Sequence, residues 1–185
     1  MFFNEKKILI FLFLFFSSKV LANDKNNIIQ NLQNIDNLTF NFEQNVNGRT
    51  ENGNCALLYP LKIFCKYNLK NNKILVSNGK SIVIKTDNSY YLYPLERTPL
   101  KLILNKNFLI NKIKNLDARI LDDQFINFKF LESDFEVNIF FDNRTLNLIG
   151  WQTTDIYQNL SITFLAAIKK NQNLKGNLFV LPKQN

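Results

Sequence analysis

The feature that most constrains this chain is a two-residue alternation of apolar and polar side chains that recurs along its length. In the stretch LTFNFEQNV, Leu38, Phe40 and Phe42 alternate with polar residues. The same alternation returns at 126–130, 135–141 and 160–164. Successive side chains of a strand point to opposite faces, so this period predicts strands with one apolar and one wet face.

Turn signals separate these segments. Asn78-Gly79 lies between two apolar runs, 74–77 and 81–85, and is a strong hairpin signal because both residues tolerate positive φ. Asp142-Asn143-Arg144 predicts a further turn before a strand at 146–151. The pattern predicts a meander of antiparallel strands.

Two segments have helical spacing instead. Apolar residues recur at helical intervals over 24–36, which predicts an amphipathic helix at the front of the sheet. The segment 95–113 contains Thr98-Pro99, a candidate N-cap followed by proline at the first helical position. We therefore expect a mainly β fold with an α lid, in which a curved antiparallel sheet forms a half-open, incomplete β-barrel covered by short helices.

The N-terminus predicts export. Lys6 and Lys7 precede an apolar run at 8–16, and the segment ends in Val20-Leu21-Ala22. This is typical of a secretory signal peptide cleaved after Ala22, and the run is too short to span a bilayer. An uncleaved amphiphilic anchor is the alternative. We expect residues 1–22 to be the signal peptide, 23–185 to form one domain, and the mature protein to be periplasmic.

Composition argues against several classes of function. The chain has no histidine, which removes Ser-His and Cys-His nucleophiles and imidazole zinc ligands. Cys55 and Cys65 match neither a thioredoxin-type pair nor half of a zinc cluster. The net charge of +8 comes from scattered lysines without the basic, aromatic-interleaved pattern of nucleic-acid binders. We predict no enzyme activity, no catalytic residue, no metal, no cofactor and no nucleic acid.

Aromatic residues are numerous, with 18 phenylalanines, six tyrosines and one tryptophan. The phenylalanines of the predicted strands fall mainly on single faces. Such faces fit a packed core and the wall of a cavity equally well, and periodicity does not distinguish the two.

Four motifs follow one another in a fixed order: LTFNFEQNVNG, LLYP with an aromatic four residues later, ILVSNGKSIVI and RTPLKLIL. In this order and at these spacings they resemble the LolA family of periplasmic outer-membrane lipoprotein carriers. The resemblance covers most of 38–104, and FVLP at 179–182 fits as a closing feature.

The resemblance implies that the protein is a carrier. Members of the LolA family accept the acyl chains of a lipoprotein from an inner-membrane LolCDE-type ABC transporter and pass them to an outer-membrane acceptor of the LolB type, where one exists. The expected partners are acylated lipoproteins and these two membrane components, and the carrier is expected to be a monomer.

The resemblance also implies site residues. An apolar concave wall would bind the acyl chains, and it would comprise Phe40, Phe42, Leu57, Tyr59, Ile63, Ile82 and Ile84. Helical segments would cover that wall as a lid, comprising Ile28, Ile29, Leu32, Thr98, Pro99, Leu100, Leu102, Ile103 and Leu104.

One position departs from the family pattern. Many members carry arginine immediately before the proline, where it ties the lid by hydrogen bonds to backbone carbonyls, whereas this chain has Tyr59. The match also puts Cys55 and Cys65 on the concave face. With a turn around Pro60 they would face each other on adjacent strands, and we expect a disulfide, the alternative being two buried free thiols.

Two other functions stay open. A non-catalytic periplasmic sensor or adaptor would use the same half-barrel to bind a protein or lipid partner. A hydrolase would need a polar cleft with converging ionisable groups.

Overall fold

The computed structural model describes residues 17–154 and 159–184. Within them lie three α-helices, two 3-10 helices and eleven strands. The helices are α1 (Ser17–Gln33), α2 (Leu100–Leu104) and α3 (Lys106–Asn115), with 3-10 turns at Leu95–Arg97 and Gly176–Phe179. The strands are β1 (Asn37–Val46), β2 (Arg49–Leu58), β3 (Lys62–Tyr67), β4 (Ile74–Asn78), β5 (Ser81–Lys85), β6 (Tyr90–Pro94), β7 (Arg119–Leu121), β8 (Phe125–Glu132), β9 (Phe135–Asp142), β10 (Leu148–Thr154) and β11 (Leu160–Lys170).

All strands belong to one antiparallel sheet in the order β6-β5-β4-β3-β2-β1-β11-β10-β9-β8-β7. Two meanders, β1–β6 and β7–β11, are joined where the first strand pairs with the last, with Phe42 opposite Leu165. Strands β6 and β7 form the two ends of this order, so the described sheet is curved but unclosed. The predicted half-open barrel is confirmed.

Strands form in every segment where the alternation predicted one, but the strand predicted at 146–151 runs from Leu148 to Thr154, and the apolar residues Leu160 and Phe164 of β11 are 37% and 44% exposed. The hairpin around Gly79 also differs in one detail. Asn78 stays in β4, and the chain turns through Gly79 and Lys80. Gly79 alone takes the positive φ, at 96°. The Asn78 side-chain oxygen accepts from the amides of Lys80 and Ser81, both at 3.0 Å, which stabilises the turn.

Helix α1 is longer than predicted at its start and shorter at its end. The prediction ran over 24–36, but α1 ends at Gln33 because the chain must extend to enter β1 at Asn37. Ile35 is nonetheless buried. The apolar run of the predicted signal peptide, 8–16, lies outside the described residues. Among the described helices, none is long and apolar enough to cross a membrane.

The predicted lid segment is divided rather than a single helix. Asn105 has φ −100° and ψ 89°, which interrupts the helix, and its side-chain oxygen caps α3 by accepting from the Phe108 amide at 3.1 Å. Thr98 does not cap α2 as predicted. Its hydroxyl donates instead to the carbonyl of Leu95 at 2.8 Å, at the end of the preceding 3-10 turn.

Lysine side chains fasten α1 to α3 at both ends. Lys106 donates to the carbonyls of Gln33 and Ile35 at the end of α1, at 3.2 and 2.7 Å. Lys25 donates to the carbonyl of Leu116, just beyond α3, at 2.8 Å. A cation at the carbonyl end of a helix is favourable, so the two helices are held as one antiparallel layer.

The chain after β11 crosses the convex face of the sheet. The 3-10 turn Gly176–Phe179 lies against β3 and β4. Phe179 is buried there with Val76 and Val83, apart from the main core. The C-terminal segment therefore stiffens the same strands that form part of the concave wall.

Candidate binding cavity

The concave face of the sheet is divided into an end that is filled by helices and an end that is not. At one end, α1 and α3 fill the barrel, and their apolar side chains pack on the sheet. The residues of this filled end include Ile28, Leu32, Leu38, Leu57, Leu109, Ile113, Ile126, Phe141 and Leu148, all at most 3% exposed. Helical packing thus fills one end of the concavity and leaves the other end unfilled.

The unfilled half is a cavity of about 430 Å³. This volume lies within the range of small-molecule sites, about 300–1,000 Å³. Its apolar lining consists of Phe40, Phe42, Val46, Cys55, Ile63, Cys65, Leu75, Ile82, Ile84, Pro99, Leu100, Ile103, Phe135, Trp151 and Leu160. Its polar or amphipathic lining consists of Gln44, Tyr67, Tyr93, Arg97, Thr98, Thr153, Asn159, Ser161 and Thr163. None of these is acidic.

Helix α2 and the turn before it cover the cavity. Ile103 is fully buried, whereas Pro99 and Leu100 are half-buried at the edge of the opening. Only five residues form this helix, and an isolated helix of that length is unstable in water. The cover is therefore held by its packing and its attachments.

The floor of the cavity is a set of aromatic rings in edge-to-face contact. Phe40 meets Trp151 with centroids 6.4 Å apart, and Phe42 meets Tyr67 at 5.0 Å. Gly53 of β2 lies opposite Phe42 of β1 and Tyr67 of β3. An added Cβ at Gly53 would overlap the backbone carbonyl oxygen of Lys66 and stand 2.9 Å from the Phe42 ring, so glycine lets the β3 backbone and the Phe42 ring approach β2 closely.

Hydrogen-bonded polar groups lie beside this aromatic floor. The Tyr67 hydroxyl donates to the Gln44 side-chain oxygen at 3.3 Å, and the Gln44 amide donates to the Ser161 hydroxyl at 3.0 Å. Burial, and secondarily Glu51, raise the pKa of Tyr67, which keeps the phenol protonated as a donor. The Thr163 hydroxyl is buried and has no hydrogen-bond partner in the described structure.

Cys55 and Cys65 lie directly opposite each other on β2 and β3 and form a disulfide. Both line the cavity and are at most 7% exposed. The covalent bond therefore lies in the wall itself, one strand from Phe40.

A family model described as outer membrane lipoprotein carrier protein LolA matches residues 33–182. The chain belongs to the LolA family. The matched range includes every strand, the helical cover and the C-terminal segment up to Pro182.

Solved structures of similar fold are distant in sequence. An uncharacterized conserved protein from Thermus thermophilus is 8% identical with a TM-score of 0.50, covering 88% of this chain and 94% of its own. A LolA superfamily protein from Nitrosomonas europaea is 6% identical, with a TM-score of 0.48 and coverage of 84% and 97%. The lipoprotein LppX from Mycobacterium tuberculosis is 8% identical, with a TM-score of 0.44 and coverage of 86% and 100%. No curated protein sequence matches the chain significantly.

The structure brings most of the predicted wall together. Five of the predicted residues line the cavity: Phe40, Phe42, Ile63, Ile82 and Ile84. Leu57 and Tyr59 lie on the same face but outside the cavity, because they fall at the filled end of the barrel.

The predicted lid residues divide into two groups. Thr98, Pro99, Leu100 and Ile103 line the cavity from above. Ile28, Ile29, Leu32, Leu102 and Leu104 are buried in the core without lining the cavity. Leu102 and Leu104 are the core-facing side of α2 itself, whereas Ile28, Ile29 and Leu32 belong to α1, which packs on α3, and α3 in turn contacts α2.

Tyr59, where many LolA-family members have arginine, does not hold the cover by a hydrogen bond. Its hydroxyl is buried without a partner in the described structure, and burial raises its pKa. The Lys106 ammonium lies 5.7 Å from the centre of the Tyr59 ring, in a cation–π contact. A backbone hydrogen bond attaches α2 to the turn after β2 instead. Two residues after Tyr59, the Leu61 amide donates to the Leu104 carbonyl at 2.9 Å.

Several lining residues were not predicted from the sequence. Gln44 and Val46 continue the parity of Phe40 and Phe42, and Tyr67 continues that of Ile63 and Cys65. The alternation of side chains along β1 and β3 was therefore enough to predict that Gln44, Val46 and Tyr67 face the cavity. Trp151 and Thr163 lie beyond the stretch of closest resemblance, and they reach the cavity because β11 pairs with β1.

Proposed function

We propose that this protein is a periplasmic carrier that binds the acyl chains of lipoproteins and shuttles them from the inner to the outer membrane. The observation that supports this most strongly is the apolar cavity beneath α2. Aliphatic side chains from the cover, Leu100 and Ile103, face the aromatic floor of Phe40 and Phe42 across it. A hydrocarbon chain is the ligand that such a surface would favour.

A carrier must bind an acyl chain and also release it. Burying one methylene contributes about 0.8 kcal/mol, so a fully enclosed chain of about fifteen carbons would be held by roughly 12 kcal/mol. A carrier must release its cargo, so part of that gain has to be offset. Displacing the buried Ile103 from the core as α2 opens would supply such an offset.

Compartment and partners follow from the same proposal. The signal peptide, cleaved after Ala22, would deliver one domain, 23–185, to the periplasm as a monomer. An inner-membrane LolCDE-type transporter would load it, and an outer-membrane acceptor of the LolB type would unload it. No bond is made or broken in either transfer, and the protein is not an enzyme.

An edge strand favours a second candidate function, that of a sensor or adaptor. Tyr91, Leu92 and Tyr93 of β6 are 51%, 55% and 45% exposed at the end of the sheet. An exposed edge strand can pair with a strand of another protein. In that case the affinity for a partner protein would not depend on whether that partner is acylated.

Paired leucine variants test the carrier proposal. Leu100→Ser removes an apolar group from the cover, and Leu131→Ser changes a leucine that is 71% exposed and does not line the cavity. Leu100→Ser should weaken binding of a fluorescent fatty-acyl probe severalfold, since it removes part of the apolar cover, whereas Leu131→Ser should not. Equal affinities in both variants and the unaltered protein would contradict the proposed site.

A further inference from the structure

A strip of four polar side chains from three neighbouring strands crosses the wall of the cavity. It consists of Gln44 on β1, Ser161 and Thr163 on β11, and Thr153 on β10, and we call it the polar strip. Cross-strand pairing makes it continuous, because Gln44 is opposite Thr163 and Ser161 is opposite Thr153. All four point to the concave face and line the same cavity as Phe40 and Phe42.

The hydrogen bonds within the strip leave several donors uncommitted. Tyr67 donates to the Gln44 oxygen, which fixes the orientation of that amide. The Gln44 nitrogen then uses one of its two hydrogens on the Ser161 oxygen. The second Gln44 hydrogen and the Ser161 proton have no acceptor among the described residues. These uncommitted protons can be donated to an acceptor on a ligand.

Thr163 supplies a further uncommitted donor. The residue is 4% exposed, and its hydroxyl has no partner in the described structure. A buried hydroxyl without a partner is unfavourable, and an acceptor on a ligand would satisfy it. Rotation about χ1 moves the hydroxyl to another staggered position, and it breaks no hydrogen bond because the hydroxyl makes none in the described structure. The Thr163 side chain can therefore present its proton to a ligand in the cavity.

The strip lies at a defined level in the barrel. Along β1, Leu38 is buried at the filled end, Phe40 and Phe42 line the apolar part, and Gln44 follows towards the hairpin end. Along β11, Leu165 is buried and Thr163 comes next in the same direction. A bound molecule would thus meet hydrocarbon surface towards the helices and donors towards the hairpins.

We propose that the polar strip binds the carbonyl oxygen of the linkage that joins an acyl chain to the rest of the ligand, with Thr163 as the principal donor. This inference rests on the proposed function and adds an orientation, with the chain towards α1 and α3 and the linkage at the strip. A neutral carbonyl suits the strip, because all its donors are uncharged. Esters and amides share this carbonyl, and the two sources are separated by the test.

The test compares variants against three probes of matched length: hexadecane, palmitic acid methyl ester and palmitic acid N-methyl amide. Each probe competes with a fluorescent fatty-acyl probe on the exported protein. Thr163→Val keeps the shape of the side chain and removes the hydroxyl. Thr39→Val is the matched control, because Thr39 lies on the same sheet but on the convex face. Ser161→Ala is a second variant that removes another hydroxyl of the strip.

Thr163→Val should weaken binding of the ester, the amide or both by about fivefold, the worth of one neutral hydrogen bond, and leave hexadecane unchanged. Which of the two carbonyl probes loses affinity identifies the linkage. Ser161→Ala should act in the same direction, and Thr39→Val should change nothing. If Thr163→Val left the affinity for both carbonyl probes unchanged, or weakened binding of hexadecane equally, the carbonyl subsite would be contradicted. The proposed carrier function would still stand. Failure of all three probes to bind the unaltered protein would instead contradict the proposed function.

Discussion

The amide nitrogen of Leu61 lies 2.9 Å from the carbonyl oxygen of Leu104, and this bond ties the turn between β2 and β3 to the last residue of α2. Leu61 has a positive φ of 68°. Its own carbonyl accepts from the Ser77 hydroxyl at 3.0 Å, and that hydroxyl accepts from the Gly79 amide at 3.2 Å. The cover is therefore attached through the main chain, supported by one buried serine.

Replacing that serine should loosen the attachment. Ser77 is fully buried, so Ser77→Ala leaves the Leu61 carbonyl and the Gly79 amide each without this partner. We expect the free energy of unfolding to fall by about 1–3 kcal/mol in a denaturant titration, and the Leu61 amide to exchange hydrogen faster. Ser81→Ala is the control, because the Ser81 hydroxyl makes no hydrogen bond within the described structure. Equal stability of the two variants would refute a supporting role for Ser77.

The disulfide in the cavity wall should contribute measurably to stability. On the chain-entropy account, closing a loop as short as that between Cys55 and Cys65 contributes about 2–3 kcal/mol. A reductant should lower the free energy of unfolding by that amount and leave the Cys55→Ala/Cys65→Ala double variant unaffected. If the reductant changed neither protein, the thiols would be unpaired in the isolated protein.

Two buried tyrosines should respond oppositely to loss of their hydroxyl. Tyr59→Phe removes a buried hydroxyl with no partner in the described structure, so stability should stay the same or rise by about 1 kcal/mol. Tyr67→Phe removes the donor to Gln44, so stability should fall by about 1 kcal/mol. Denaturant titration of both variants decides the matter. A loss in Tyr59→Phe as large as in Tyr67→Phe would mean that the Tyr59 hydroxyl has a partner.

Alkaline pH should destabilise the fold through the same residues. Burial raises the pKa of Tyr59 and Tyr67 in the folded state above the unfolded value of about 10. Below that pH both states are protonated and stability is complete. Above it the unfolded state loses protons first, so stability should fall by up to about 1.4 kcal/mol per pH unit for each tyrosine. Tyr59→Phe should make this alkaline slope shallower, and an unchanged slope would contradict the burial of its ionisable hydroxyl.

Strands such as β1 were predictable because they carry a physical contrast between their two faces. Phe40 and Phe42 point inward while Asn41 and Glu43 point outward, and such a contrast survives in sequence as period two. Strand β6 carries no such contrast. Its tyrosines and leucine are half-exposed at the sheet edge on both faces, so alternation could not reveal it.

The division of the concave face between core and cavity could not be predicted from the strands. Phe40 and Leu57 share that face, yet one lines the cavity and the other packs beneath helices. The difference is set by where α1 and α3 lie across the barrel, which depends on long-range contacts such as that of Lys25 with the Leu116 carbonyl. Strand periodicity contains no information about such contacts.

The polar strip could not be predicted either. In the sequence, Thr163 resembles an ordinary outward residue between Ile162 and Phe164, both of which the alternation would place in the core. In the structure the parity is reversed, because β11 pairs with β1 in a register that sets Thr163 opposite Gln44 and leaves Phe164 44% exposed. The register of the closing strand pair therefore determined this part of the site.

The most direct test of the carrier function is native mass spectrometry of the protein co-expressed with a lipoprotein client. The comparison is the same client with its lipidated cysteine changed to serine, which removes the acyl chains and keeps the polypeptide. A carrier of acyl chains should form a one-to-one complex with the acylated client alone, in which the carrier has the mass of a chain beginning at Asn23. Equal capture of both client forms, or of neither, would contradict the carrier function.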